Sequence, residues 1–331
     1  MTKELPLDLV SKNFSFAKSA ALLLVLLGHF DKLENLFGHF INEGSWILVT
    51  FGLCVFGFSS AYFTGKKYSN GNFTGYWKNK FTRLFVRVIV IQIFLFIFLF
   101  FSRGDSVFCW HSLVHFFGGT GFLNWFHIKD QSPMGNGLWF FTLLLIFYAL
   151  YPFLISIHEK YYSIWIYMLL YILTFLLQSF FPMGHMLWLT AFAFLSGIFF
   201  AKTHNVLFVK LLMALSLLCM PTFLALNFLQ IKSFNFIIIS IISIGCCLYC
   251  IYFYFSFERF FRNAVSFINK HMLEIYFIHS YLYIYFFGND FINIFSSFLL
   301  FASTAWILSK ISSFFQNIIE KKIRNAPCIR A

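Results

Sequence analysis

Long apolar segments are the feature of this sequence that most restricts its fold. Of its 331 residues, 60% are hydrophobic and 11% are charged, a composition that soluble domains rarely show. A helix needs about 20 apolar residues to cross ~30 Å of hydrocarbon. Windows of this length occur at residues 14–33, 45–64, 84–102, 138–157, 162–180, 185–201, 206–227, 234–256, 265–287 and 291–314. The sequence therefore predicts an all-α, polytopic membrane protein with about ten transmembrane helices, in a single integral-membrane domain over residues 1–331 without an additional soluble domain.

The basic residues predict the orientation of these helices. With a cytoplasmic N-terminus, Lys18 lies within helix 1, and Lys32, Arg103, Lys129 and Lys232 lie outside. The other 19 of the 24 Lys and Arg residues then face the cytoplasm, which is the bias that membrane insertion produces. Both termini are therefore predicted to be cytoplasmic, and helix 1 is expected to be retained, because no signal-peptide cleavage pattern follows it. The net charge of +12 follows this topology, so membrane lipids and not nucleic acid are the expected partners.

The first predicted helix, FSFAKSAALLLVLLGHF (Phe14–Phe30), carries two polar groups that membrane helices usually exclude. A lysine at the centre of a span costs about 2.5–3.5 kcal/mol, and such groups normally face protein or a water-filled site. Lys18 and His29 are 11 residues apart, so they project within about 20° of each other. The pattern indicates a shared functional wall. The alternative is that Lys18 snorkels to lipid headgroups and His29 marks the polar end of the span.

A basic segment precedes the third predicted helix. Lys80, Arg83 and Arg87 follow one another at helical spacing and continue into the apolar span. Such a cluster suits a phosphate-bearing ligand on the cytoplasmic side. Contact with anionic lipid is the alternative interpretation.

Helices 5 to 8 carry few charges, and we expect them to form a lipid-facing scaffold. Three of the seven cysteines lie in helix 8, where cysteine behaves as a small hydrophobic residue, so no metal is expected there. The external segment 103–137 contains His111 and His115 at metal-ligand spacing but no third ligand in a recognised pattern. We interpret that segment as a membrane-surface cap or as the edge of a site for a sugar-like acceptor.

Two later helices carry the remaining candidate residues. Helix 4 opens with GLWFF, which contains Trp139. Helix 9, in FINKHMLEIYFIHSYLY, places Glu274, Tyr276 and His279 within an apolar span. We expect these four residues to support the site or to contact an acceptor.

These motifs resemble the acyltransferase 3 family of bacterial integral-membrane acyltransferases. The sequence FAKSAALLLVLLGHF resembles the first-helix signature of the family, with lysine where arginine is usual, a form similar to the fucose 4-O-acetylase-related branch. KNKFTRLF resembles the motif of two arginines at the start of helix 3, again with lysine first. FGFSSAYF, GLWFF and LEIYFIH resemble motifs of helices 2, 4 and 9, with Ala61 where glycine is usual.

The resemblance implies an O-acyltransferase of the bacterial cytoplasmic (inner) membrane. The donor would be acetyl-CoA or another acyl-CoA, a substrate rather than a permanently bound cofactor. The acceptor would be a hydroxyl of an envelope glycan or of a lipid-linked oligosaccharide. Lys80, Arg83 and Arg87 would bind the donor phosphates, and Lys18 would lie along its arm. His29 would act either as general base or as the acyl carrier.

A transporter is the rival function. An exporter of polysaccharide or of a lipid-linked sugar also has many helices and a few buried charges. Transporters often show internal repeats with helices broken at matching positions, and the sequence shows no such repeat.

The topology is directly testable. Tags at residue 1, near Lys67 and at residue 331 should report cytoplasm, and tags near Asn42 and Lys129 should report the external side, because 19 basic residues lie on one side and four on the other. Accessibility of the tags in intact cells measures this. Finding the two termini on opposite sides would contradict the helix count.

Overall fold

The computed structural model describes residues 4–30, 45–68, 72–80, 84–161, 163–181, 183, 187–202, 205–229, 234–255 and 258–325. Within these ranges the regular structure is helical, without strands. Seven helices there are long and apolar enough to cross a membrane, and Ile164–Phe180 and Leu187–Lys202 are shorter apolar helices. The predicted all-α, polytopic membrane fold is confirmed. The count of about ten spans remains a prediction.

Thirteen α-helices and two 3-10 turns make up the described chain. The α-helices are α1 Leu7–Gly28, α2 Ser45–Lys67, α3 Tyr76–Lys80, α4 Val86–Arg103, α5 Trp110–Phe116, α6 Thr120–Trp125, α7 Trp139–Tyr161, α8 Ile164–Phe180, α9 Leu187–Lys202, α10 Val206–Phe228, α11 Asn235–Tyr252, α12 Glu258–Ile278 and α13 Asp290–Asn325. The 3-10 turns are Gly104–Val107 and His279–Tyr281.

Contacts divide the chain into two compact units, one of Met1–Asn72 with Leu143–Lys270 and the other of Phe73–Thr142 with His271–Ala331.

Helix α2 is the centre of the first unit, where it contacts α1, α9 and α11. Small residues allow the closest of these approaches. A Cβ atom on Gly197 of α9 would lie 2.3 Å from the Phe58 carbonyl oxygen and 2.7 Å from the Cβ of Ala61. Small residues let membrane helices pack at short distance. The alanine at position 61 is therefore part of a helix–helix contact.

The expectation that helices 5 to 8 face lipid is wrong for α9 and α11. Twelve of the residues of α9 are buried, and 67% of the α11 span is buried, against 17% of the α10 span. Hydropathy does not separate these cases, because a helix that is apolar all round suits either protein or lipid. Alanine, serine and glycine on α9 are the residues that permit close packing.

In the second unit, α4 packs against α13. Gly104 ends α4 with a positive φ of 64°, a conformation that glycine adopts without steric cost. The chain then forms the short helices α5 and α6, and no candidate span falls within the described residues 108–138. We call residues 104–138 the cap segment.

Two predicted helix boundaries differ from the structure. Helix α1 begins at Leu7, after Pro6, and ends at Gly28, so His29 terminates it and does not lie inside it. The predicted span 265–287 is not one helix, because α12 ends at Ile278 and a 3-10 turn follows. The backbone beyond that turn is hydrogen-bonded by α13: the Ile284 N–H donates to Ser297 Oγ at 2.8 Å.

Candidate active site

Lys18 lies on the buried side of α1. Phe14, Leu22 and Val25 fall within about 40° of Lys18 around a helix of 100° per residue, and each is at most 1% exposed. Leu23, about 140° away, is exposed. Lys18 itself is partly buried. This placement disfavours a lysine that simply extends along a lipid-facing surface.

Lys18 also lacks a carboxylate partner among the described residues. The structure pairs Lys66 with Glu4 at 2.8 Å and Arg87 with Glu274, but it gives Lys18 no such ion pair. An ammonium group in an apolar span is stable only near compensating negative charge or water. The position is therefore suited to an anionic or strongly polar ligand.

His29 is fixed by the end of its own helix. It follows the last residue of α1, and its Nδ1 lies 2.8 Å from the Val25 carbonyl oxygen. A carbonyl oxygen only accepts hydrogen bonds, so Nδ1 carries the proton. In the neutral ring, Nε2 then carries the lone pair. That is the state in which an imidazole accepts a proton or attacks a carbonyl carbon.

The sequence interpretation missed a side chain that supports the Lys18 region. Asn269 of α12 donates from Nδ2 to the Ser15 carbonyl oxygen at 2.8 Å and to Ser19 Oγ at 2.9 Å. Ser15 and Ser19 flank Lys18 on α1. An asparagine within a mixed, amphipathic segment gives little signal in the sequence, because its acceptors are on another helix far along the chain.

The basic motif is only partly described. Lys80 is partly buried, with its Nζ 5.9 Å from the centre of the Tyr76 ring. Arg83 lies outside the described residues.

Arg87 binds Glu274 through two hydrogen bonds, one from Nε at 2.8 Å and one from Nη2. The Glu274 side chain is fully buried, whereas the Arg87 side chain retains 27% of its exposure. The pair joins the start of α4 to α12.

Trp139, Tyr276 and His279 belong to one buried region of the second unit. The Tyr276 hydroxyl donates to the Gly137 carbonyl oxygen at 2.7 Å, just before Trp139 opens α7. His279 donates from Nδ1 to the Tyr276 carbonyl oxygen at 2.6 Å, and its Nε2 accepts from the Ser280 hydroxyl at 3.2 Å. The helix 4 and helix 9 motifs therefore meet, which separation along the sequence alone does not reveal.

The cap segment contains a second histidine network. His115 Nε2 lies 2.8 Å from Asp130 Oδ2, and its Nδ1 lies 2.9 Å from Thr120 Oγ1. Burial lowers the pKa of His115, nearby His111 lowers it further, and Asp130 opposes the shift. The neutral ring donates from Nε2 to the carboxylate and accepts from the Thr120 hydroxyl. His115 thus holds the cap together.

His111 has no comparable partners. It is 3% exposed, and neither ring nitrogen has a hydrogen-bond partner among the described residues. No group of three or more His, Cys, Asp or Glu side chains in the described part of the chain is arranged to hold a metal ion.

Comparison with known proteins identifies one family. Residues 12–312 match the acyltransferase 3 family model, which is described as an acyltransferase domain. A search of curated proteins and a search of solved structures returned no match.

The Arg87–Glu274 pair predicts an unequal response to substitution. Arg87→Ala leaves a fully buried carboxylate unpaired, which typically costs about 3–5 kcal/mol of unfolding free energy. Glu274→Ala should cost less, because the Arg87 side chain keeps part of its exposure. The double variant should be more stable than Arg87→Ala alone. Thermal unfolding of the purified variants in one detergent measures this, and equal, additive losses would contradict the pairing.

Proposed function

Because this chain belongs to the acyltransferase 3 family and is a multi-pass membrane acyltransferase, we propose that it transfers an acyl group, most simply acetyl, from cytoplasmic acyl-CoA to a sugar hydroxyl of the cell envelope. The acceptor is an envelope polysaccharide or its lipid-linked oligosaccharide precursor. The proposal places the protein in the bacterial inner membrane, near the fucose 4-O-acetylase-related branch of the family. Membership of an acyltransferase family disfavours the alternative of an exporter without transfer activity.

The arrangement of α1 carries this proposal. Lys18 lies on the buried side of α1 and has no carboxylate partner in the described chain, and helical spacing would put His29 on the same side. A thioester donor with phosphate groups fits both residues. Its phosphates carry the negative charge that the Lys18 ammonium needs, and its thioester carbonyl carbon is the atom that a reaction at His29 requires. A purely structural lysine would be expected to have an acidic neighbour.

Donor binding is assigned to the basic motif. Lys80 and Arg83 would bind the CoA phosphates, because guanidinium and ammonium groups form strong, charge-assisted hydrogen bonds with phosphate oxygens. Arg87 has a different position, since Glu274 already occupies two of its donors. Arg87 would therefore affect donor binding mainly by fixing the start of α4.

His29 supports a general-base mechanism. Its Nε2 accepts the proton of the acceptor hydroxyl while that oxygen attacks the thioester carbonyl carbon. The C–O bond forms, the C–S bond breaks, and the CoA thiolate takes the proton back from the imidazolium. The hydrogen bond from Nδ1 to Val25 keeps the ring in the tautomer that this step requires.

The acyl-histidine mechanism uses the same atom. Nε2 attacks the thioester carbonyl carbon and CoA leaves as a thiolate, so the acyl group becomes bonded to the ring. The acceptor hydroxyl then attacks the acyl-imidazole, its proton passes to the thiolate or to solvent, and His29 is regenerated. Incubating the protein with radiolabelled acetyl-CoA in the absence of acceptor, followed by acid quench, separates the two routes, because only this one leaves label on the protein.

We assign Trp139, Tyr276 and His279 to support of the acceptor side. The Tyr276 hydroxyl bonds the backbone just before α7 to the end of α12, and His279 binds the Tyr276 carbonyl oxygen. Aromatic rings and a buried imidazole are groups that sugar hydroxyls and ring faces can contact.

Substitution of Lys18 tests the charge requirement. Lys18→Arg should retain substantial transfer, because it preserves the cation, whereas Lys18→Ala should lose most transfer and weaken acetyl-CoA binding. The same pattern is expected for Lys80→Arg, Lys80→Ala and Arg83→Ala. Transfer and donor affinity should be measured on purified protein with normal expression. Full activity of Lys18→Ala would leave only the lipid-interface interpretation.

His29 is the residue on which catalysis should depend most. General-base catalysis contributes roughly 10²- to 10⁴-fold in rate, so His29→Ala should reduce transfer by at least about 10²-fold. His29→Gln keeps a hydrogen-bonding side chain that takes up no proton at neutral pH, and it should be nearly as inactive. Acetyl-CoA binding, measured on the same samples, should persist in both variants.

A near-normal rate for His29→Gln would remove His29 as base and as acyl carrier. A variant that neither transfers nor binds donor would instead point to a structural role. Transfer from labelled acetyl-CoA in detergent, without any ion gradient, is the matching control against a transport function.

A further inference from the structure

Helix α2 covers one side of Lys18 in the first unit. At 100° per residue, Phe14 and Ala21 of α1 lie about 40° and 60° from Lys18 in the same direction. The Phe14 ring stacks on Phe58 of α2, with the ring centres 6.1 Å apart. A Cβ atom on Gly52 of α2 would lie 2.7 Å from the Ala21 carbonyl oxygen. The two helices are therefore in close contact along this side of the lysine.

Helix α12 covers the other side of Lys18 through Asn269. Ser15 and Ser19 of α1 lie about 60° and 100° from Lys18 in the opposite direction. Asn269 donates from Nδ2 to the Ser15 carbonyl oxygen at 2.8 Å and to Ser19 Oγ at 2.9 Å. Ser19 is 3% exposed, and its hydroxyl donates to the same Ser15 carbonyl oxygen at 3.0 Å. Helical spacing therefore directs Lys18 into the seam between α2 and α12.

The Asn269 amide restrains the helix itself and not only a side chain. The Ser15 carbonyl oxygen is a backbone atom less than one turn before Lys18, so its hydrogen bond opposes rotation of α1 about its axis. The amide is also held on its own helix, where Nδ2 donates to the Val265 carbonyl oxygen at 2.8 Å. Without this restraint, a turn of α1 would bring Lys18 toward lipid, where a lysine extends to the headgroups.

We propose that Asn269 is a positioning residue, which fixes the rotation of α1 so that the Lys18 ammonium stays in the seam and meets an anionic donor there. The identity of that donor rests on the proposed function. The placement of Lys18 by Asn269 does not, so the two are tested by different measurements.

Asn13 provides a matched control on the same helix. It donates from Nδ2 to the Cys250 and Phe253 carbonyl oxygens at 2.9 and 2.7 Å, so it connects α1 to the end of α11. It lies about 140° from Lys18 around the helix. Because Asn13 is 3% exposed, Asn13→Leu should lower thermal stability at least as much as Asn269→Leu.

Amine labelling measures the placement of Lys18 without a donor. Purified protein in nanodiscs is treated with a membrane-impermeant acetylating reagent, and peptide mass spectrometry follows Lys18 relative to exposed Lys129. Asn269→Leu should raise the Lys18 labelling rate at least about threefold, because the released side chain extends to the membrane surface. Asn13→Leu should leave the rate unchanged. An unchanged rate in Asn269→Leu, or an equal rise in both variants, would overturn the proposal.

Two milder variants decide the question if Asn269→Leu does not fold. Ser19→Ala removes one acceptor of the Asn269 amide and introduces the best helix-forming residue, so it should raise Lys18 labelling to a smaller extent. Asn269→Gln keeps the amide N–H donors and should retain most of the protection of Lys18. Labelling of Ser19→Ala at the rate of the unsubstituted protein would then overturn the proposal.

Donor affinity tests what this placement serves. Asn269→Leu should raise the Kd of acetyl-CoA at least about threefold, and it should have no further effect in the Lys18→Ala variant, because residues that act through one another are not additive. Additive effects on the Kd would mean that Asn269 acts independently of Lys18, which would overturn the positioning role. A Kd that is unchanged by Lys18→Ala would overturn the donor-binding role of Lys18 in the proposed function, and the labelling rates would then decide the placement alone.

Discussion

Hydrocarbon does not solvate ionised side chains, and the placement of each charge in this protein follows from that constraint. Arg87 and Glu274 satisfy it internally, through two hydrogen bonds to a carboxylate that is completely buried. Lys18 does not satisfy it within the described chain. Arg87 therefore belongs to a structural ion pair, whereas Lys18 is a candidate ligand-binding cation. In the sequence the two cases look alike, because each is a basic residue in an apolar span.

The histidines show how the backbone sets imidazole chemistry. His29 and His279 each donate from Nδ1 to a carbonyl oxygen three or four residues earlier, so the lone pair of each neutral ring lies on Nε2, which in His279 accepts from the Ser280 hydroxyl. His115 has the opposite tautomer, because Asp130 fixes the proton on Nε2. His115 therefore suits structural support, and His29, at a helix end beside a lysine-bearing face, suits catalysis. Residue type alone does not make this distinction.

The sequence predicts the helical membrane fold because that fold depends on local periodicity, whereas the shared side of Lys18 and His29 stays a prediction from ideal helix spacing. It does not predict that α9 and α11 are buried, since apolar residues suit protein and lipid equally. It also does not reveal the partner of Glu274 or the acceptors of Asn269, which are on other helices and depend on packing. The end of α12 at Ile278 is likewise a tertiary feature, because Ser297 and Asn293 of α13 bind the backbone that follows.

Two glycines explain how the cap segment and the end of α12 are fitted together in the second unit. Gly135 and Gly137 have φ values of 93° and 74°, which other residues adopt only with strain. A Cβ on Gly135 would lie 2.2 Å from the His115 ring, and one on Gly137 would lie 2.8 Å from Ser280 Oγ. One short turn thus contacts the His115 network on one side and the hydroxyl that binds His279 on the other. Neither glycine leaves room for a side chain. A shift of the cap helix α5 that moved His115 would therefore also move this turn. Because the turn contacts the residues around Tyr276 and His279, the hydrogen bonds that orient those two side chains would have to change as well.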